Sequence, residues 1–434
     1  FSTTQLGALT TTQVQGLTVP QLNDMPVASL NAVAVTKLST AQVRGLNATA
    51  VENLTATQVQ ALSATQIKVL SATAIEAFGS TELQSWSTTQ VGALAATQLG
   101  GLTTTALEDF STAQFGALTT TQVQGLSATQ LNGVPAASLN ALSIGNLSTT
   151  QMAGLTSTAL GGLTATQVGA LSTVQIGALS AAGVEALIST VLQAWSTTQL
   201  GALAATQLGG LTTTALDSFS TTQLGALTTT QVQGLTAAQL NGVSVTSLNA
   251  LAVPNLSTTQ MAGLSATAVL DLTTTQVAAL STTQLGTLST AGIEALMSTM
   301  LQTWNTTQLG ALVATQLGGL TSTALDSFST TQLGALTTTQ VQGLVAAQLN
   351  GVSSASLNAL PVANLSTLQM AGLSATAVGD LTTTQVGALT GAQVGALSTT
   401  GIGGLTTTDL DALTATQPAA LTPFPIASLT VPSL

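Results

Sequence analysis

Large apolar residues fall along the chain at spacings of three and then five. Val43, Leu46, Val51, Leu54, Val59, Leu62, Ile67, Leu70, Ile75 and Phe78 follow this rule without a break. A half-buried strand needs strict alternation, which a three-residue step violates. One continuous α-helix fails as well, because eight residues at about 100° each rotate the apolar stripe by roughly 80° per unit. The unit is an octad with the consensus Ser/Thr-Thr/Ala-Thr-Gln-(Val/Ile/Leu)-x-Ala/Gly-Leu. Residues 10–17 and 164–171 are two copies of it.

A short helix in each octad fits this pattern. In residues 10–17, Thr10 is a suitable N-cap and Gln13, three positions on, can reach back to the cap amide. That is a capping box, and Leu9 with Val14 has the spacing of a hydrophobic staple. Each octad is therefore expected to make one to one and a half helical turns before the next Ser or Thr redirects the chain. The Ala or Gly before the final Leu leaves room for close backbone approach. The predicted fold is all-α: a solenoid, or superhelix, of very short capped helical turns, one per octapeptide. A β-solenoid is the alternative, since Thr favours strands and is a poor interior helix former. A unit this short encloses no core alone, so stability should depend on the number of stacked units.

A longer repeat is laid over the octads. Thr-Thr-Thr-Gln-Val-Gln-Gly-Leu ends at Leu17, Leu126, Leu235 and Leu344, an interval of 109 residues. Trp86, Trp195 and Trp304 share that interval, as do Phe1, Phe110, Phe219 and Phe328. Thirteen octads and one five-residue unit fill each interval, the short units being 34–38, 143–147, 252–256 and 361–365. The chain thus reads as one continuous solenoid of four long copies, 1–109, 110–218, 219–327 and 328–434. The short unit is expected to reset the superhelix, so that equivalent positions return to one face and the tryptophans form a sparse column. Asn132, Asn140 and Asn146, and Asn241, Asn249 and Asn255, gather near the short unit and are read as corner residues. Asn ladders between chains are the alternative. In the last copy Leu413 takes the Trp slot, and Pro418, Pro423, Pro425 and Pro432 crowd a divergent end suited to capping a stack.

Composition narrows the chemistry. The hydrophobic fraction is 45%, but only 4% of residues are charged, against about 25% in an ordinary domain. The surface must therefore be Thr, Ser, Gln and Asn, nearly uncharged and with little to oppose association. Lys37, Arg44 and Lys68 are the only basic residues, which argues against nucleic acid. Cys and His are absent, which removes disulfides, thiolate sites, the commonest metal ligand and an ordinary Ser-His-Asp triad. Polar triplets interrupt every apolar run, so no transmembrane segment is expected. No signal peptide stands before Phe1, which suggests a processed product or a piece of a longer array.

No residue is predicted to be catalytic, cofactor-binding or metal-ligating, and no cofactor is expected. Glu52, Glu76, Glu108, Glu185, Asp217, Glu294 and Asp326 directly follow the first apolar residue of octads that lack the usual Gln. They are read as compensating a lost cap near a helix N-terminus. Glu82 and Asp409 sit in the Gln slot itself, where an acid can serve the capping box. Glu108-Asp109 is the only adjacent acidic pair and does not recur. Lys37 or Lys68 beside a Ser is the weakest of the catalytic possibilities. The tryptophans occupy a core position and are expected to be buried, sugar stacking being the alternative.

The octads, as in residues 196–203 (Ser-Thr-Thr-Gln-Leu-Gly-Ala-Leu), resemble those of very large repetitive bacterial surface and secreted proteins, often described as adhesin-like. The resemblance covers nearly the whole chain. It implies export and an extracellular or cell-surface role, and it transfers no site residues. The leading expectation is an extracellular structural protein that forms or belongs to a self-assembling fibre, sheath or surface stalk, with itself as partner. A repetitive binding module that meets polysaccharide, a cell surface or ice through Thr and Trp arrays is the alternative. Membrane insertion of an amphipathic coil comes third, and an enzyme last.

Overall fold

Each octad makes one short helix, and its residues show why. The computed structural model describes residues 1–188, 195–296, 304–414 and 416–417. In the octad 119–126, Thr119 is extended (φ −71°, ψ 160°) and its side chain accepts the Gln122 N–H, which starts the helix Thr120–Gly125. The extended backbone of Leu126 (φ −74°, ψ 139°) ends it. The Leu126 N–H closes on the Val123 carbonyl at 3.1 Å. Two successive extended residues, the last Leu and the next Ser or Thr, then redirect the chain. Among the described residues there are 47 α-helices and no strand. The all-α reading holds and the β-solenoid alternative falls, because the cap and the Gln acceptor satisfy the helix start that isolated Thr propensity would disfavour.

The chain divides into two compact units, Phe1–Phe219 and Ser220–Leu434. Within each, a helix packs on the third helix along: Ala96–Gly100 on Thr120–Gly125 in the first, Ala314–Gly318 on Thr338–Gly343 in the second. Three octad helices therefore make one coil. Gly116 faces the Ala141 carbonyl and Gly177 the Ala202 carbonyl, each 25 residues on. The first apolar residue and the last Leu point into the coil. Val14, Val59 and Ile67 are wholly buried, and Leu54, Leu62 and Leu70 nearly so.

The five-residue unit replaces one side of a coil. It folds as a single 3₁₀ turn, at Val35–Lys37, Ile144–Asn146, Val253–Asn255 and Val362–Asn364. Val35, Ile144, Val253 and Val362 take the first core position, so three residues are lost without losing a buried side chain. The coil still closes, over 22 residues where Asn23 donates to the Gly45 carbonyl.

This geometry corrects the expected tryptophan column. A long copy holds fourteen units, thirteen octads and the short one, and fourteen is not a multiple of three. Trp86 and Trp195, both in the first unit, therefore lie on different sides of the coil. The short unit preserves coil closure locally and does not return the 109-residue period to one face. Pro418, Pro423, Pro425 and Pro432 lie outside the described residues.

Candidate functional site

The most repeated polar feature is a bracket made by the slot glutamine. Gln122 is 3% exposed. Its Oε1 accepts the Thr119 N–H and hydroxyl, both at 3.0 Å. Its Nε2 donates to the Val91 and Leu94 carbonyls, both at 2.9 Å, in the preceding coil. One carboxamide thus caps its own helix and ties that helix to the coil before it. Gln66, Gln98, Gln114, Gln175 and Gln340 repeat the arrangement with partners 28 and 31 residues back. Gln42, Gln151, Gln260 and Gln369, whose coil contains the short unit, reach back 28 and 25 instead. Where the cap residue has no hydroxyl, as at Ala95, Ala204 and Val313, the Gln still accepts the cap N–H at 2.6 to 2.7 Å. The capping box was legible in the sequence; the second half of the bracket was not.

Several octads without the Gln obtain a cap acceptor from the previous coil. Glu76 accepts the Thr103 N–H at 2.6 Å and Glu294 the Thr321 N–H at 2.9 Å. Glu185 accepts the Thr212 hydroxyl. Asp326 accepts both the N–H and the hydroxyl of Ser353. These acids do compensate a lost cap, but not their own. Glu76 ends the helix Ala72–Glu76, far from its N-terminus, and serves a cap 27 residues on. Glu108 is 27 residues before Pro135, which has no N–H to donate. Asp409 completes a capping box with Thr406 as expected. Glu82 does not, its N-cap being Gly79.

Asparagine plays the same part across the short unit, and more completely. Asn132 accepts the Thr156 N–H and donates to the Gly154 carbonyl, both at 2.8 Å. Asn23, Asn241 and Asn350 do likewise toward the octads starting at Asn47, Ser265 and Ser374. This corrects the corner reading for Asn132, Asn140, Asn241 and Asn249, which lie inside the helices Ala128–Gly133, Ala136–Ala141, Ala237–Gly242 and Val245–Ala250. Only Asn146 and Asn255 sit at a corner, where they end 3₁₀ turns. The signal in the sequence was partial: Asn23, Asn132, Asn241 and Asn350 precede a Gln-less octad one coil later, whereas Asn31, Asn140, Asn249 and Asn358, in the same octad position, precede octads that carry Gln58, Gln167, Gln276 and Gln385, and their Oδ1 atoms are buried without a partner among the described residues.

Burial pushes the Asp326 carboxyl up, but bonds from the Ser356 hydroxyl and from the N–H and hydroxyl of Ser353 outweigh it and hold the group below its ordinary value. A depressed carboxyl stabilises the fold above its unfolded pKa, and that contribution is lost as pH falls through the folded pKa. Thermal unfolding of the wild type is thus expected to fall on acidification below about pH 4. Asp326→Asn should lower the melting temperature at pH 7 and reduce its slope in the acid range; an unchanged slope would refute the link.

The other candidates resolve as follows. Trp86, Trp195 and Trp304 are each 3% exposed. The Trp86 and Trp195 indoles donate to the Val59 and Val168 carbonyls, and Trp86 meets Phe78 edge-on at 5.5 Å. Buried indoles present no face to a sugar, so the Trp part of the binding alternative is withdrawn. Lys37 Nζ donates to the Leu9 carbonyl at 2.5 Å, taking the bracket's place in the first short unit. Exposed Lys68 borders an open groove of about 500 Å³ with Gly92, Ala95, Thr119 and Gln122; Gly177 replaces it one long copy on. Among the described residues, no group of three or more acids is placed to hold a metal ion.

Comparison with known proteins fits this repetitive picture. The ALTTAQ repeat matches residues 144–181 and 362–399. Both stretches start on the buried residue of a short unit, two long copies apart. No curated protein matches the chain. One solved structure, titled "Structure of APUM23-GGAAUUGACGG", aligns over 98% of this chain and 92% of that one, at 12% identity and a TM-score of 0.17. That likeness is too slight to bear on fold or ligand.

Proposed function

We propose that the chain is an extracellular structural protein that forms, or belongs to, a self-assembling fibre, sheath or surface stalk. The observation that carries this reading is the glutamine bracket. It recurs within each unit, from Gln42 to Gln207 in the first and from Gln260 to Gln417 in the second, so successive coils of a unit exchange the same amides and carbonyls. A chain built this way gains stability by stacking like on like. Its outer surface of Ser and Thr, with 4% charged residues, sets little repulsion against association. The resemblance to large repetitive bacterial surface proteins supports export and a cell-surface setting. Itself is the first partner in this reading. No helix among the described residues is long and apolar enough to cross a membrane.

Electron microscopy across a concentration series tests the proposal. Filaments or sheets with a regular axial repeat are expected, and isolated particles at every concentration would overturn it. A second reading, a binding module for polysaccharide or ice, draws on the exposed threonines at the second and third octad positions, such as Thr120, Thr121, Thr229 and Thr230. The first-position hydroxyls are committed to the bracket, as Thr119 is to Gln122. Thermal hysteresis or retention on a glycan surface would favour that reading.

A further inference from the structure

Two of the three cations of the chain stand in one column. Arg44 and Lys68 occupy the sixth place of the octads 39–46 and 63–70. Arg44 lies in the helix Thr40–Gly45 and Lys68 caps the helix Ala64–Ile67, and these two helices pack on each other in successive coils. The next helix of the column, Thr88–Gly92, puts Gly92 in the same place, and a Cβ there would meet nothing within 4 Å. An open groove of about 500 Å³ runs from Thr65 and Lys68 past Gly92 to Thr119 and Thr121. Both cations are exposed, and neither has an ion-pair partner among the described residues. Residues 87–102 and 119–126, which wall the groove beyond Lys68, carry no charge. Asp24 stands one coil before Arg44, on the far side from the groove. The scaffold does not need these charges. Later long copies carry Ala153, Ala262 and Ala371 in place of Arg44, and Gly177, Gly286 and Gly395 in place of Lys68, while the surrounding helices recur.

We propose that this column and its groove are a binding site for an acidic polysaccharide, a polymer of uronate sugars. The Arg44 guanidinium suits a carboxylate held by two parallel N–H bonds, and Lys68 supplies a point charge for a carboxylate on a neighbouring sugar. The Thr65 and Thr121 hydroxyls line the groove and match the hydroxyls of the sugar rings. Salt screens exposed charges beyond about 8 Å at physiological ionic strength, so the local pair outweighs the net charge of −11 carried by the whole chain. A nucleic acid fits less well. No aromatic side chain lines the groove to stack a base, and two cations neutralise few phosphates. The inference rests on the binding-module reading above and gives it a ligand class and a place.

Surface plasmon resonance of the 434-residue chain on polygalacturonate, with neutral dextran as reference, tests it. The double variant Arg44→Ala, Lys68→Gly installs the residue types that later copies carry at those places. A control makes the same change in net charge on exposed threonines of the second unit, Thr230→Glu and Thr339→Glu. Circular dichroism establishes that both variants fold. The wild type is expected to bind polygalacturonate and not dextran. The double variant is expected to bind about tenfold or more weakly, which is about 1.4 kcal/mol, and the control to stay near wild type. Equal weakening in both variants would overturn the local site in favour of a general charge effect. Wild-type binding that persists at about 1 M salt, where the screening length is about 3 Å, would overturn it as well. Equal binding to dextran and polygalacturonate would overturn the acidic site and leave a threonine-based binding module standing. Tighter binding of a thymidine oligonucleotide would overturn the saccharide assignment. No binding to either polysaccharide would overturn the site and the polysaccharide reading together.

Discussion

Gln122→Glu is expected to destabilise the chain by about 3–5 kcal/mol at neutral pH. The substitution keeps the acceptor for the Thr119 N–H and hydroxyl. It removes both donor bonds, so the Leu94 carbonyl loses its partner in a buried setting and the Val91 carbonyl keeps only the Leu94 N–H. An orphaned buried group costs about 1–3 kcal/mol. It also buries a carboxylate against two carbonyl oxygens, which raises the folded pKa of the introduced group above its unfolded value. For an acid shifted upward the penalty is full at high pH and shrinks as pH falls through the folded pKa, because the protonated form donates again. Urea unfolding at pH 7 and pH 5 should show the deficit narrowing. The matched control is Gln13→Glu, one long copy earlier. Its side chain is exposed and its Nε2 makes no bond among the described residues, so its cost is expected within about 0.5 kcal/mol. Equal costs at the two positions would refute the bracket as a source of stability.

The contrast between these positions shows what a sequence can and cannot disclose. Gln13 and Gln122 stand in the same eight residues, Thr-Thr-Thr-Gln-Val-Gln-Gly-Leu. Local reasoning finds the capping box in both, because the donor and acceptor lie three residues apart. The helix per octad, the two core positions and the four short units follow from the same short-range logic, and all are present. The Nε2 partners could not be found that way. They lie 25 to 31 residues back, and that distance is the length of a coil, which depends on how far two extended residues turn the chain between helices. Once three octads per coil is known, several of the acids and asparagines after the first apolar residue acquire partners as well. Glu76 meets Thr103, and Asn132 meets Thr156. Without the coil length, Glu76 could only be assigned to its own helix and Asn132 to a bend. The tryptophan column failed for the same reason: a 109-residue period aligns positions only if its fourteen units are a whole number of coils.

The glycines supply the second large effect, and its sign depends on position within the coil. A Cβ built on Gly125 would sit 2.6 Å from the Ala96 carbonyl oxygen and 2.7 Å from the Ala96 Cβ. Both belong to the helix Ala96–Gly100, against which Thr120–Gly125 packs. Neither atom is the end of a flexible side chain, so the two coils must part. Gln122 sits in the same helix and must hold the Val91 and Leu94 carbonyls across that gap, so parting the coils also stretches its bonds. Gly125→Ala is therefore expected to cost about 2–3 kcal/mol. The second unit repeats the geometry, with a Gly343 Cβ 2.6 Å from the Ala314 carbonyl oxygen, so Gly343→Ala should cost the same. Gly92 closes the helix Thr88–Gly92, and a Cβ there meets nothing within 4 Å. Gly92→Ala should stabilise by up to about 1 kcal/mol, since alanine favours the helix and restricts the unfolded chain. Thermal unfolding of the three variants would read the difference directly. Losses at Gly125 and Gly343 with a gain at Gly92 would establish that these glycines set the spacing between coils. A uniform gain would mean that glycine serves no spacing role at any of them.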